Sequence, residues 1–151
     1  FLIQTFGCRV NQAESKKIAL IVDHSEETRS VRSSEAHILS ILQNFVSNAI
    51  QFTQPGGVVI IGGKSVEDGV VFMVRDSGIG IEPAVKEKLF DTTFHAHTDT
   101  KHTTLKGAGL GLYISARLAK ALGASIWVES EEGKGSTFYL KVPKKATKPA
   151  E

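Results

Sequence analysis

Three short stretches carry residue types and spacings that could do chemistry. Asp76-Ser77-Gly78-Ile79-Gly80-Ile81 follows an apolar run, residues 70–74, that reads as a strand. A carboxylate at a strand end, then two glycines one residue apart, suits backbone held close to a ligand, because glycine accepts φ > 0 and has no Cβ in the way. Asp76 would accept hydrogen bonds from a donor such as an exocyclic amine; the same residues also make an ordinary Asp-Ser-Gly turn. Gly107-Ala108-Gly109-Leu110-Gly111-Leu112 sits just before an amphipathic helical pattern, Leu110, Ile114, Leu118, Ala121 and Leu122. Unpaired N–H groups at a glycine-rich helix start, with the helix dipole behind them, favour an anion. One stretch asks for an amine and the other for phosphate, and together they suggest a purine nucleotide. Asn44 and Asn48 are one helical turn apart and share a face. Two side-chain amides side by side offer oxygen ligands to a hard cation such as Mg²⁺, or are two solvated asparagines.

Each stretch needs an element to position it. The apolar set Ile38, Leu42, Phe45, Ala49 and Phe52 predicts a helix over Glu35–Phe52 with Ser33 or Ser34 as its cap and with Asn44 and Asn48 opposite the buried stripe. Residues 58–64 and 70–75 predict a hairpin turning at Glu67-Asp68-Gly69, and residues 125–130 and 136–142 predict strands turning at Gly133-Lys134-Gly135. Residues 18–22 read as a strand, with a further short one around Val31. Pro83 suits a helix start, so residues 83–90 read as a helix. Residues 1–15 carry apolar positions at helical spacing and read as a lead-in helix, 16–143 as one domain, and 144–151 as a charged, disordered tail. Residues 91–106 have no usable period and are rich in Thr and His. Helices and antiparallel strands that must each bury one face imply a two-layer α/β sandwich.

The three stretches, in this order and spacing, resemble the N, G1 and G2 boxes of the ATP-binding catalytic domain of sensor histidine kinases, within the GHKL ATPase superfamily. Phe90 and Phe94 fall where an F box is expected, and the ending Ile126-Trp127-Val128-Glu129-Ser130…Gly133-Lys134-Gly135-Ser136-Thr137-Phe138 is also similar. The resemblance implies a mixed sheet of about five strands with the helices on one face, and ATP between the helices and a lid formed by residues 91–106. It implies that Asp76 receives the adenine amine, with Gly80 against the purine and Gly78, Ile81, Phe94 and Thr137 also at the nucleotide. Asn48 with Asn44 would hold Mg²⁺, the backbone at Gly107, Gly109 and Gly111 would meet the phosphates, and Leu110 would also be at the nucleotide. Catalysis of phosphoryl transfer by protein groups is mainly positioning and charge stabilisation. Hydrolytic relatives carry a glutamate base four residues before the metal-binding asparagine; Asn44 stands there and cannot act as a base, which favours transfer to a histidine. The partners implied are ATP, a dimerisation and histidine-phosphotransfer domain of the same protein, and a response regulator. The location implied is cytoplasmic, the parent protein being membrane-anchored or not.

Two positions depart from the pattern. Gln51 stands where a phosphate-reaching Lys or Arg is usual, and His37 where an arginine is common. Lys101 or Lys106 in the lid would be the substitutes, with Lys106 better placed beside Gly107, or both are plain surface lysines. A serine kinase or ATPase of the same superfamily is one alternative, and a non-catalytic ATP-binding module, motivated by Gln51, is another. No histidine here has the sequence context of the family's phosphoacceptor, so the isolated domain is expected to be a monomer unable to phosphorylate itself on histidine.

Bulk properties fit this reading. The chain has 151 residues, 41% hydrophobic and 23% charged, enough for one soluble domain with a core. A net charge of +2 is too small to argue for nucleic acid or an anionic membrane. The single cysteine, Cys8, excludes an internal disulfide and fits a reducing compartment. Residues 5–15 also resemble the start of tRNA methylthiotransferases, but an iron–sulfur cluster needs several thiolates, so Cys8 is expected to be a buried or half-buried thiol. His95, His97 and His102 do not have the spacing of a zinc set. No run approaches the ~20 apolar residues of a membrane span, and no signal-peptide pattern is present. The chain begins at Phe rather than Met, so it is expected to be a piece of something longer.

Overall fold

The computed structural model describes residues 7–23, 33–90 and 108–144. The expectations for residues 1–6, the strand around Val31, the lid at 91–106 with Phe94, its histidines, Lys101 and Lys106, Gly107, the Cys8 side chain and the tail at 145–151 lie outside the described residues.

Five strands form one mixed sheet: β1 (Ala19–Val22), β2 (Val58–Val66), β3 (Gly69–Asp76), β4 (Ser125–Glu131) and β5 (Gly135–Pro143), in the order β1-β2-β3-β5-β4. β1 runs parallel to β2 and the other pairings are antiparallel. The parallel pair is joined through helix α2 (Glu35–Phe52), since a parallel pairing needs a crossover. Strand alternation sends Val59, Ile61, Val74, Phe138, Leu140 and Val142 to one face, where they are buried. That face is covered by α2 and α4 (Ala108–Ala121), which also pack on each other. Phe45 of α2 lies on Phe138 with ring centroids 5.2 Å apart, and Phe90 meets Phe138 edge-on at 6.5 Å. The opposite face carries Trp127 stacked on Tyr139 at 4.9 Å.

Ser34, not Ser33, caps α2: its Oγ accepts from His37 N at 3.4 Å. Two helices end in the same way. At the end of α4, Ala124 N donates to Ala119 O and Gly123 N to Lys120 O, with Gly123 at φ 66°. At the end of α1 (Gly7–Ser15), Ile18 N donates to Ala13 O and Lys17 N to Glu14 O, with Lys17 at φ 60°. Both are left-handed C-terminal caps, and the cap on α1 uses a lysine where glycine is the unstrained choice. Buried Ile18 and Ala13 supply the apolar contact that accompanies the motif.

Two elements differ from the sequence reading. The helix expected over 83–90 is a single turn, α3 (Pro83–Lys86). Beyond it Lys88 N bonds Val85 O and Leu89 N bonds Lys86 O, tighter turns that bring Leu89 to 3% exposure in the core. Along α4 and the residue after it the buried face is Leu112, Ser115, Ala119 and Leu122, whereas Ile114 is exposed. The polar Ser115 hid this stripe; it is buried because Asn44 donates to it.

Candidate functional site

Where β3 ends, a cavity of about 160 Å³ opens between the sheet, α2 and the turn after β3. Asn48 and Phe52 of α2, Asp76, Gly80, Ile81 and Ser136 are among its walls.

Asp76 is 6% exposed. Its Oδ1 accepts from Gly78 N at 2.9 Å and from Ser136 N at 3.3 Å. Both backbone donors go to one oxygen, so Oδ2 has its lone pairs for a ligand. Burial pushes the Asp76 carboxyl above its ordinary range, and the Gly78 and Ser136 N–H groups pull the other way.

The glycines of this loop are required by the protein itself. A Cβ on Gly78 would sit 2.5 Å from Phe52 O and 2.8 Å from the Asp76 carboxylate. Gly80 has φ +72°, and a Cβ there would run into Glu131 O. Neighbouring backbone thus occupies the room that a Cβ would need at both positions, and Gly80 also lines the cavity. The loop is stitched to the β4–β5 turn, with Gly133 N donating to Ile79 O at 2.7 Å and Ile81 N to Ser130 Oγ at 2.8 Å.

The end of α2 is closed with equal care. Of its last four carbonyls, Ala49 O accepts from Thr53 N and Thr53 Oγ1, Ile50 O and Gln51 O accept from Lys16 Nζ at 3.0 and 2.8 Å, and Phe52 O accepts from Ile79 N. All four groups that a helix end leaves unpaired are thus satisfied, one of them by the Asp76 loop.

Asn48 is 6% exposed, and its Nδ2 has no hydrogen-bond partner in the protein. A buried amide left unpaired is costly, and this one is on the cavity wall. Asn44 sits differently. Its Nδ2 donates to Gly111 O at 3.2 Å and Ser115 Oγ at 3.0 Å, tying α2 to the first turns of α4, and it does not line the cavity among the described residues. Gly109 and Leu110 lie within α4, so the helix begins earlier than the glycine run suggested. A Cβ on Gly111 would meet Asn44 at 3.5 Å, an ordinary contact. Gln51 is exposed and lines a separate groove between α1 and α2, with Lys16 and Gln12, not the cavity with Asn48.

Thr137 is corrected. Phe138 points to the core, so Ser136 shares its side of β5 and Thr137 faces the other side of the sheet. Ser136, 7% exposed, is the cavity residue. Period-two alternation from Phe138 would have identified it in the sequence. Ser130, Ser115 and Lys16 carried no comparable signal, because each acts through a contact between distant segments.

The model of the histidine kinase-, DNA gyrase B- and HSP90-like ATPase family matches residues 33–146. The chain is 32% identical over 142 residues to the circadian input-output histidine kinase CikA of Synechococcus elongatus, covering 93% of this chain and 19% of CikA. The fold is similar to the catalytic domain of the histidine kinase ThkA, with TM-score 0.78 and 26% identity over 95% of this chain and 91% of that one. It is also similar to full-length ShkA in complex with AMPPNP, with TM-score 0.80 and 30% identity over 99% of this chain and 30% of ShkA. The chain spans 15% of the length of the phytochrome relatives it matches. Among the described residues no helix is long and apolar enough to cross a membrane. The chain belongs to the histidine kinase-, DNA gyrase B- and HSP90-like ATPase family, as a catalytic domain of the histidine kinase type.

Proposed function

We propose that this domain binds ATP with Mg²⁺ and positions the γ-phosphate for transfer to a histidine on a dimerisation domain of the same parent protein, which then serves a response regulator in two-component signalling. The observation that carries the reading is Asp76: a buried carboxylate with one oxygen taken by two backbone donors and the other left for the cavity. Such a group asks for a neutral donor such as the adenine amine. The fit to a metal rests on Asn48, a buried side chain on the cavity wall whose unpaired Nδ2 is a donor for a phosphate oxygen rather than a metal ligand. Its oxygen is the hard ligand that Mg²⁺ takes beside phosphate oxygens, and the ion would neutralise charge on the phosphates. No cluster of three His, Cys, Asp or Glu side chains exists among the described residues, which suits an ion held mainly by its nucleotide. Asn44 Oδ1 is the second candidate ligand, its Nδ2 being engaged with α4. Lys106 and the Gly107, Gly109 and Gly111 backbone are proposed at the phosphates, with Phe94 in the lid.

In the transfer, the acceptor imidazole nitrogen attacks the γ-phosphorus, and the bond to the bridging oxygen breaks as ADP leaves. Asn44 cannot take a proton from water, which sets the hydrolytic reading behind the transfer reading. The domain is proposed to work in the cytoplasm, and alone to be a monomer that makes no phosphohistidine. The test supplies an acceptor domain in trans with γ-labelled ATP. Acid-labile phosphohistidine on the acceptor is expected. Acid-stable phosphoserine, or free phosphate alone, would replace this reading with a serine kinase or an ATPase.

A further inference from the structure

We propose that Ser130, which does not line the cavity, is a positioning residue that sets the donor–acceptor polarity of the cavity's base-facing wall; this rests on the nucleotide reading above. Ser130 lies on β4, and its Oγ is close to three groups: Ile81 N at 2.8 Å, Gly135 O at 3.0 Å and Ser136 Oγ at 2.8 Å. A serine hydroxyl has one proton to give and two lone pairs. Ile81 N can only donate, and Gly135 O can only accept. All three contacts are hydrogen bonds in a single arrangement: Ile81 N–H and the Ser136 hydroxyl donate to Ser130, and Ser130 donates to Gly135 O.

The consequence falls on Ser136. Its proton is committed to Ser130, so it turns lone pairs to the cavity, and its own N–H is committed to Asp76 Oδ1 at 3.3 Å. The part of the wall formed by Asp76 and Ser136 then presents acceptors, the Asp76 carboxylate and the Ser136 oxygen. An exocyclic amine, with two N–H groups, suits that wall; a carbonyl in the same place meets lone pairs. Ser130 thereby selects an amino-purine over an oxo-purine without touching either. The same hydroxyl fixes the loop at Ile81, a residue of that wall. Without Ser130, the Ser136 hydroxyl is released to rotate and to donate, and the discrimination by this half of the wall is lost.

The test compares ADP with IDP, which carries a carbonyl where adenine has its amine, by calorimetry on the whole chain. Ser130→Ala is expected to weaken ADP about fivefold, the size of one hydrogen bond, while changing IDP by less than about twofold. Ser130→Thr keeps the hydroxyl and should restore the wild-type ratio. Amide exchange at Ile81 should quicken in Ser130→Ala and not in Ser130→Thr. Equal weakening of ADP and IDP, or wild-type affinities in Ser130→Ala, would overturn the polarity role and leave Ser130 a structural residue. If the wild type binds neither nucleotide, the nucleotide reading falls and the base-selection claim with it. The Ile81 exchange then still decides whether Ser130 holds the loop, an unchanged rate refuting it.

Discussion

Replacing Asp76 with asparagine separates the cost of the site from its use. In the wild type, Oδ1 accepts from Gly78 N and Ser136 N, and burial holds the carboxyl above its ordinary range. The substituted amide would keep an oxygen in the Oδ1 position for both backbone donors and put an NH₂ group where Oδ2 was. The folded protein therefore loses neither bond and no longer desolvates a charge. The sign follows from linkage. A carboxyl whose folded pKa lies above its unfolded value of about 3.8 opposes folding in full at pH above the folded pKa, and this opposition is relieved as pH falls through that pKa. Asp76→Asn is thus expected to match or exceed the wild type in stability at neutral pH without nucleotide, with the advantage vanishing in acid.

Binding should move the other way. The mutant opposes a ligand amine with a donor, leaving two buried donors facing each other. An unsatisfied buried group costs about 1–3 kcal/mol, or about 5- to 150-fold in affinity. Below the raised pKa the wild type should also lose affinity as Asp76 gains its proton, at higher pH than an ordinary carboxylate would, and the mutant should lack that dependence. Calorimetry with ADP across pH, paired with thermal unfolding of the nucleotide-free proteins, measures both arms. Equal ADP affinity in mutant and wild type would remove Asp76 as the base anchor. A clear loss of nucleotide-free stability at neutral pH would refute the claim that both backbone bonds persist.

Three further outcomes follow from the backbone geometry. Lys17→Gly should raise stability by about 0.5–1 kcal/mol in chemical denaturation, because Lys17 is exposed and held at φ 60° in a cap where glycine carries no Cβ penalty. Lys16→Met keeps the aliphatic stem but strips the donors from Ile50 O and Gln51 O, and should lower stability by about 1–2 kcal/mol in the same assay. Gly80→Ala should lower the melting temperature and weaken ADP together, because a side chain at φ +72° meets Glu131 O; a mutant with wild-type melting and binding would refute the stitched-loop description.

The legible parts of the chain were those governed by local period. Glu35–Phe52 was readable because eighteen residues repeat an apolar stripe and a serine precedes them, and the hairpin at Asp68-Gly69 because alternation flanks a turn dipeptide. The family boxes were legible as types of residue in order. Their reasons were not. Gly80 is a glycine because Glu131, fifty-one residues later, places a carbonyl against it, and spacing carries no trace of that contact. Asn44 shares a helix face with Asn48, yet α4 claims its amide through Ser115, a polar residue that also disguised the buried stripe of α4. Thr137 and Ser136 are chemically alike, and only the inward direction of Phe138 distinguishes them.

Two of the buried polar side chains meet in the cavity. Asn48, Thr53, Asp76, Ser115 and Ser136 are the buried polar residues among those described. Thr53 closes onto Ala49 O, Ser115 accepts from Asn44, and Ser136 bonds Ser130, so each has a protein partner. Asn48 keeps an unpaired amide nitrogen, and Asp76, although two backbone donors meet its Oδ1, keeps a charged group against its desolvation. Both face the same cavity. Two such groups in one cavity are unfavourable in the empty protein, and the surrounding structure must offset them. The Phe45–Phe138 core, the closed carbonyls of α2 and the loop stitched to the β4–β5 turn do so at three sides of the cavity. A ligand able to give a donor to Asp76 and an acceptor to Asn48 removes both costs at once. A nucleotide has the first at its base and the second at its phosphates.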